Sequence, residues 1–509
     1  MSSFAVDRAP TGRLAEMSLL IIAFLIGTGG FAATMMNLKG SLDPSFLRNC
    51  GVLFVICVVA HLLVRYFAPY ADPLLLPCAV ALNGLGLAMI YRLDLSYAAQ
   101  NHPMNAAPKQ LIITLAGIAL MALTLAVVKD HRQMRRFTYT SMAIGLALLI
   151  LPEIPGLGSE INGARIWINL FGFQFQPSEL AKVCFAIFFA GYLVARRDSL
   201  ALGGKKILGL RLPRLRDLGP IVIVWGVSLA VLVLQHDLGT SLLLFGLFVA
   251  MLYVATNQVS WLVIGAVLFI PGAWLAATVF PHVGARFDVW LHAFDQSVYS
   301  RQFGGSWQLV QGLFGMANGG MVGTGWGRGY PWLVSQANSD FIYASLAEEL
   351  GLTGALVILV LYLIFVERAM RVAITVRDGF GKLLASGLGF AIGMQVFVVV
   401  GGVTRLIPLT GLTLPFVAAG GSSLLANWII LAILLRISNS ARRPSTPGGA
   451  VSTTEINLIL DREARERAEA ALSGPRTRRP SAKSASPAPH AQERKTTNVV
   501  MPNEGGDRA

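Results

Sequence analysis

The sequence predicts an all-α polytopic membrane protein, and three observations lead there. Hydrophobic residues make up 54% of the chain and charged residues 13%, at a mean hydropathy of +0.62. A soluble domain of 509 residues could not bury that much apolar surface, so lipid must solvate much of it. The apolar residues come in long uninterrupted runs without alternation, which selects helices over a closed barrel. Lys and Arg cluster between the runs and in the tail, where they orient a membrane protein. The net charge of +14 therefore belongs to the membrane pattern, and nucleic acid is not an expected partner.

A spanning helix needs about 20 mostly apolar residues. Such runs lie near 17–36, 52–69, 73–91, 110–128, 137–153, 179–195, 218–235, 238–256, 260–280, 352–367, 384–402 and 411–436, which makes about twelve transmembrane helices. Arg132, Arg135 and Arg136 follow the fourth run, RRDSLALGGKKILGLRLPRLRD follows the sixth, and Arg368, Arg371, Arg377 and Lys382 follow the tenth. All lie after even-numbered spans, so those connections and both termini are expected in the cytoplasm. The connections 154–178 and 281–351 then face outward, the second as a large loop between the ninth and tenth spans.

The chain divides accordingly into a cytoplasmic N-terminus (1–16), N-terminal helices (17–153), a core (154–437) with the outer loop 281–351, and a tail (438–509). No cleavage-site pattern precedes the first run, which reads as a retained anchor. The tail is rich in Arg, Ser, Pro and Ala and reads as disordered, with one short helix allowed in EINLILDREARERAEAAL. Cys50, Cys57, Cys78 and Cys184 lie in or beside apolar runs without metal-ligand spacing, as small hydrophobes do.

Four outward segments collect polar residues at the membrane edge. In 161–182, Arg165 and Trp167 suit an interface, and Pro177-Ser178-Glu179 starts a helix. Lys182 lies three residues beyond Glu179 on the same face, so either an ion pair or a snorkelling lysine is available. In 234–241, His236 and Asp237 offer chemistry, although Asp before Leu-Gly-Thr is also an ordinary helix cap. The loop 281–351 is too long for a plain connection. It carries the glycine run NGGMVGTGWGRGY together with Arg286, Asp295, Asp340 and the pair Glu348–Glu349. In 405–427, Pro408, Pro415, Gly420 and Gly421 interrupt an apolar run. A broken helix persists at membrane depth only when buried in protein or lining a cavity. No P-loop, zinc spacing or dinucleotide fingerprint occurs in a fitting context.

NGARIWINL…FQPSELAK, QHDLGTSLLL, GTGWGRG…SDFIYASLAEELGLTG and TGLTLPFVAAGGSSLLAN together resemble the SEDS proteins, the RodA/FtsW/SpoVE family of bacterial cell-wall polymerases. FAPYADPLLLP, LNGLGLAMIYRLD, KDHRQMRRF and GGVTRLIPLTGLT are similar to the RodA-type members with two extra N-terminal helices. The resemblance implies a plasma-membrane peptidoglycan glycosyltransferase that polymerises lipid II beside a class B penicillin-binding protein acting as transpeptidase. The family's catalytic aspartate sits in a stretch like W-x-D-P-x-x-D-P. Here that stretch reads WLHAFDQSVYSRQFGGSWQLVQ, in which Asp295 is the nearest carboxylate.

Glycan extension needs a base for the acceptor hydroxyl and cations for the departing lipid pyrophosphate. Asp295 is the expected base. Arg165, Lys182 and Arg286 are expected to face the pyrophosphate, and Glu179, Asp237, Gly325, Asp340 and Ser422 complete the expected substrate site. A divalent cation, Mg or Mn, would suit a pyrophosphate, but no ligand set in the sequence identifies one. Two other readings stay open: a flippase for the lipid-linked precursor, and a non-enzymatic scaffold that recruits or activates a transpeptidase.

Overall fold

The computed structural model describes residues 12–444 apart from 162–163, 171–172, 203–204, 208–209, 213–225, 227–229, 231–234, 236 and 303. The seventh predicted run falls almost wholly outside the described residues, as do His236 and the tail beyond Pro444. Among the described residues, ten helices are long and apolar enough to cross a membrane.

The first four are α1 (Arg13–Lys39), α2 (Pro44–Phe67), α3 (Leu75–Ala99) and α4 (Ala106–Val127). Their ends follow from local chemistry. Gly40 closes α1 with φ of +74°, a left-handed cap that glycine adopts without a steric penalty. Asp43 accepts the Ser45 N–H at 2.9 Å and Pro44 occupies the first turn of α2. Asp94, near the end of α3, takes the Ala106 and Ala107 N–H groups at 3.0 and 2.7 Å, so a neighbouring helix caps α4. The apolar window of α3 is wholly enclosed. Glycines permit this: a Cβ at Gly27 or Gly84 would press on the other helix's backbone, and one at Gly86 would collide with the Val417 carbonyl.

The fifth run is shorter than expected. α5 (Thr138–Ile150) has 13 residues, flanked by 3-10 turns at His131–Phe137 and Leu151–Glu153. The segment after it is a three-stranded antiparallel sheet, β1 (Gly158–Ile161), β2 (Ala164–Leu170) and β3 (Phe173–Phe175), in that order. The all-helical expectation missed this sheet. ARIWINL and FQF are β-branched and aromatic, but too short to stand out beside the apolar runs. After α6 (Ser178–Leu202) a small hairpin follows, β4 (Lys205–Ile207) with β5 (Leu210–Leu212). Then come α7 (Leu238–Thr256) and α8 (Ser260–Val279), whose apolar window is only 6% buried within the chain.

The long loop is largely helical: α9 (Pro281–Leu291), α10 (Gln296–Tyr299) and α11 (Trp307–Gly319) precede the glycine run. α12 (Ile342–Thr375) begins ten residues before the predicted tenth span, and its backbone breaks at Gly351, with φ 69° and ψ −176°. After α13 (Gly379–Val403), the last predicted run also needs correction. Residues 404–420 are irregular, and α14 (Gly421–Arg442) starts only at Gly421.

This irregular stretch is buried from Leu412 to Ala418. Side chains from the surrounding elements serve its backbone. Arg286 donates to the Leu409 carbonyl at 3.0 Å, Gln395 to Thr413 at 2.9 Å, Asn83 to Phe416 at 3.0 Å and Gln110 to Ala418 at 3.0 Å. The Tyr362 hydroxyl serves the Pro415 carbonyl, and the Ala419 N–H donates to Asn338 O at 2.8 Å. Each group left unserved in hydrocarbon would cost several kcal/mol, so the broken span exists only because helices enclose it.

Candidate functional site

Polar side chains converge where α6, α7, α13, α9 and the 404–420 stretch meet, on the face of the bundle that carries the long loop. α6 opens at Ser178, which puts Glu179 and Lys182 on one side of its first turns. Lys182 Nζ donates to Glu179 Oε2 at 2.5 Å and to Gln395 Oε1 at 2.8 Å. Gln395, in the second half of α13, donates Nε2 to the Thr413 carbonyl and lies 3.5 Å from Glu179 Oε1. Lys182 is 1% exposed and Glu179 4%. The lysine therefore does not snorkel; its ammonium is enclosed and paired. Removing two ions from water is costly, and the pair is sustained only with the extra hydrogen bonds that Gln395 supplies.

Asp237 caps α7 by accepting the Thr240 N–H at 3.0 Å. Its other oxygen takes Gln176 Nε2 at 3.3 Å, and the Gln176 N–H donates to Ser422 Oγ at 2.9 Å. Arg286 on α9 is near enough to both Asp237 and Asp340 for each to stabilise its charge. Gly411 borders Arg286 and Asp340, with atoms of both within 4.0 Å of where a Cβ would stand. Burial pushes the Asp340 carboxyl up to about 6, against the Ser339 hydroxyl and Arg286, which pull it down. Burial likewise raises the Asp237 pKa, opposed by Thr240 and Arg286, and lowers that of Arg286, opposed by the two aspartates. A low-dielectric setting disfavours each charged form, and perturbed groups gathered in this way mark functional sites.

The other expected residues stand apart. Arg165 is exposed on β2. Gly325 donates its N–H to the Glu349 carbonyl at 2.9 Å, where the glycine run wraps the break in α12. Glu348 accepts the Tyr330 N–H at 2.8 Å and Asn318 Nδ2 at 3.3 Å, so it ties this loop to α12. Asp295 is 62% exposed, and its carboxylate lies 3.4 Å from His292 Nδ1. Among the described residues, no group of three or more His, Cys, Asp or Glu is arranged to hold a metal ion.

The sequence profile of the family described as Cell cycle protein, that of FtsW, RodA and SpoVE, matches residues 73–443. This chain belongs to the FtsW/RodA/SpoVE family. It is 48% identical over 440 residues to the peptidoglycan glycosyltransferase RodA of Mycobacterium tuberculosis, covering 86% of this chain and 92% of that protein. Against RodA of Mycobacterium leprae the identity is 46% over 456 residues, covering 88% and 96%. A chain of a solved peptidoglycan synthase complex shares the fold at a TM-score of 0.57 and 24% identity, over 74% of this chain and 99% of that one.

Every member of the loop-face cluster lies inside the region of the FtsW/RodA/SpoVE match. Sequence reasoning found Glu179, Lys182, Asp237, Arg286, Asp340 and Ser422 but missed Gln395, Gln176 and Thr413. The available signal for Gln395 was its position: an uncharged polar residue in the middle of the run 384–402 needs a partner. Arg92 was missed too. It is fully buried, pairs with Glu349 and donates to the Gly329 carbonyl at 2.7 Å.

Proposed function

We propose that this protein is a peptidoglycan glycosyltransferase of the bacterial plasma membrane that polymerises lipid II at the outer face, with both termini cytoplasmic and a class B penicillin-binding protein as its transpeptidase partner. The observation that carries this is the enclosed Glu179–Lys182–Gln395 group with buried Asp237 and half-buried Arg286 and Asp340 on the face that carries the outer loop, in a chain 48% identical to a peptidoglycan glycosyltransferase. In the reaction an acceptor sugar hydroxyl attacks the anomeric carbon of the donor. Its proton passes to a base, and undecaprenyl pyrophosphate leaves. Arg286, Lys182 and the exposed Arg165 are the cations that offset the charge on the leaving group.

Asp295 is the base in this reading. It is exposed, and it follows α9, which Arg286 and Trp290 tie to the 404–411 stretch through Leu409 O at 3.0 Å and Arg405 O at 3.2 Å. Flipping a precursor would require polar groups between the two faces. In α14, however, Trp428 and Ile430–Leu435 are all apolar and at most 2% exposed, which favours chemistry at one face. The test is lipid II polymerisation by purified Asp295→Ala, with and without a transpeptidase. A general base contributes about 10²–10⁴-fold, so loss of that order is expected; undiminished glycan product would remove Asp295 from the role.

A further inference from the structure

The match to the family begins at residue 73, so α1 and α2 lie before it. Yet α1 reaches the glycine run directly. Asn37 Nδ2, in its last turn, donates to the Trp326 carbonyl at 2.6 Å, and Arg328 Nη2 donates to Asn37 Oδ1 at 3.3 Å. The Trp326 indole enters a small apolar cluster formed by Phe31 of α1 with Leu87 and Ala88 of α3. Gly30 makes room for it: a Cβ there would stand 3.3 Å from the indole and closer still to Ala88. Gly327 sits equally tight, with the Asn37 and Leu38 side chains 3.3 Å from where its Cβ would be.

We infer that α1 clamps the glycine run, with Asn37 and Trp326 as positioning residues for the loop-face site; this rests on the polymerase reading above. The connection is short. The run continues through the Pro331–Leu333 turn to Asn338, whose carbonyl holds Ala419, and then to Asp340 beside Arg286. On its other side the run is tied to α12 by Glu348 and Glu349 and to α3 by Arg92. Those ties hold one side of the run against α12 and α3, and the Trp326 insertion with Asn37 holds the side that faces α1. Without α1 the indole would lose one wall of its cleft, and Trp326 and Arg328 would lose their hydrogen bonds to Asn37.

The test uses the full chain in lipid nanodiscs, with Asn37→Ala, Trp326→Ala and the conservative Trp326→Phe. Hydrogen exchange across 321–329 is measured beside kcat and KM for lipid II. Both alanine variants are expected to raise exchange there by about tenfold, as loss of one hydrogen bond or packing contact would. KM should rise several-fold with kcat within about twofold, and Trp326→Phe should stay near wild type. Unchanged exchange in both alanine variants overturns the clamp. Raised exchange with unaltered KM overturns the positioning role. If the wild type itself makes no glycan, the polymerase reading fails, while the exchange result still decides the clamp. Should Trp326→Ala not fold, Asn37→Ala and Trp326→Phe carry the comparison.

Discussion

Lys182 is held by a carboxylate and an amide, and that decides what its removal does. Lys182→Met leaves Glu179 buried without a countercharge, a change that costs about 3–5 kcal/mol. Adding Glu179→Gln should restore most of the melting temperature in detergent without restoring polymerisation; recovered activity would mean that the pair is structural only. Asp340 supplies a pH dependence. Its folded-state value of about 6 lies above the ordinary 3.8, so its share of stability is present in acid and is lost as pH rises through about 6. The facing groups are Arg286 and, across it, Asp237, whose burial acts in the same direction. The melting temperature should therefore fall between about pH 4 and 6, and Asp340→Asn should flatten that decline. An unchanged slope in the variant would show that Asp340 does not titrate there. At this scale the sequence supplied the charged members of the site through their placement at run ends. Gln395 and Arg92 escaped because a single polar residue in an apolar run does not name its partner.

At the scale of elements, the clearest departures from expectation are the break at Gly351 and the late start of α14. At Gly351 the backbone takes a conformation that a side chain would block, because a Cβ there would stand 2.2 Å from the Gly323 nitrogen. Gly323, at φ +91°, lies against Glu349 O and Gly351 N, with no room for a Cβ. Gly320, at φ +53°, meets nothing within 4 Å. Gly323→Ala should then cost more than the ~1–3 kcal/mol of backbone strain alone, and Gly320→Ala should cost no more than that strain. Equal losses in a thermal-melting comparison would contradict the packing of the glycine run on α12. The run 384–402 became α13 with little change because it contains no proline and no charged residue. The run 411–436 lost its first ten residues. Pro408 and Pro415 break the backbone ladder, and the carbonyls so released are taken by Arg286, Gln395, Asn83, Gln110 and Tyr362.

Across the whole molecule, the basic connections set a testable orientation. Cysteines introduced as Ser2→Cys or Ser452→Cys should resist an impermeant maleimide in intact cells, while Glu160→Cys should react. The reverse pattern would invert the topology and move the loop-face site to the cytoplasm. Membrane residence and most spans were legible in the sequence because each depends on local composition: the cost of placing a charge or an apolar run in lipid is counted along one segment. The family was legible because its motifs are contiguous. What only the tertiary structure decided is which distant groups satisfy one another. Residues 404–420 can remain irregular at depth only because side chains from α3, α4, α9, α12 and α13 reach their carbonyls. Lys182 can be buried only because Gln395, 213 residues later, stands beside it. These pairings depend on three-dimensional proximity, which no run of hydropathy encodes.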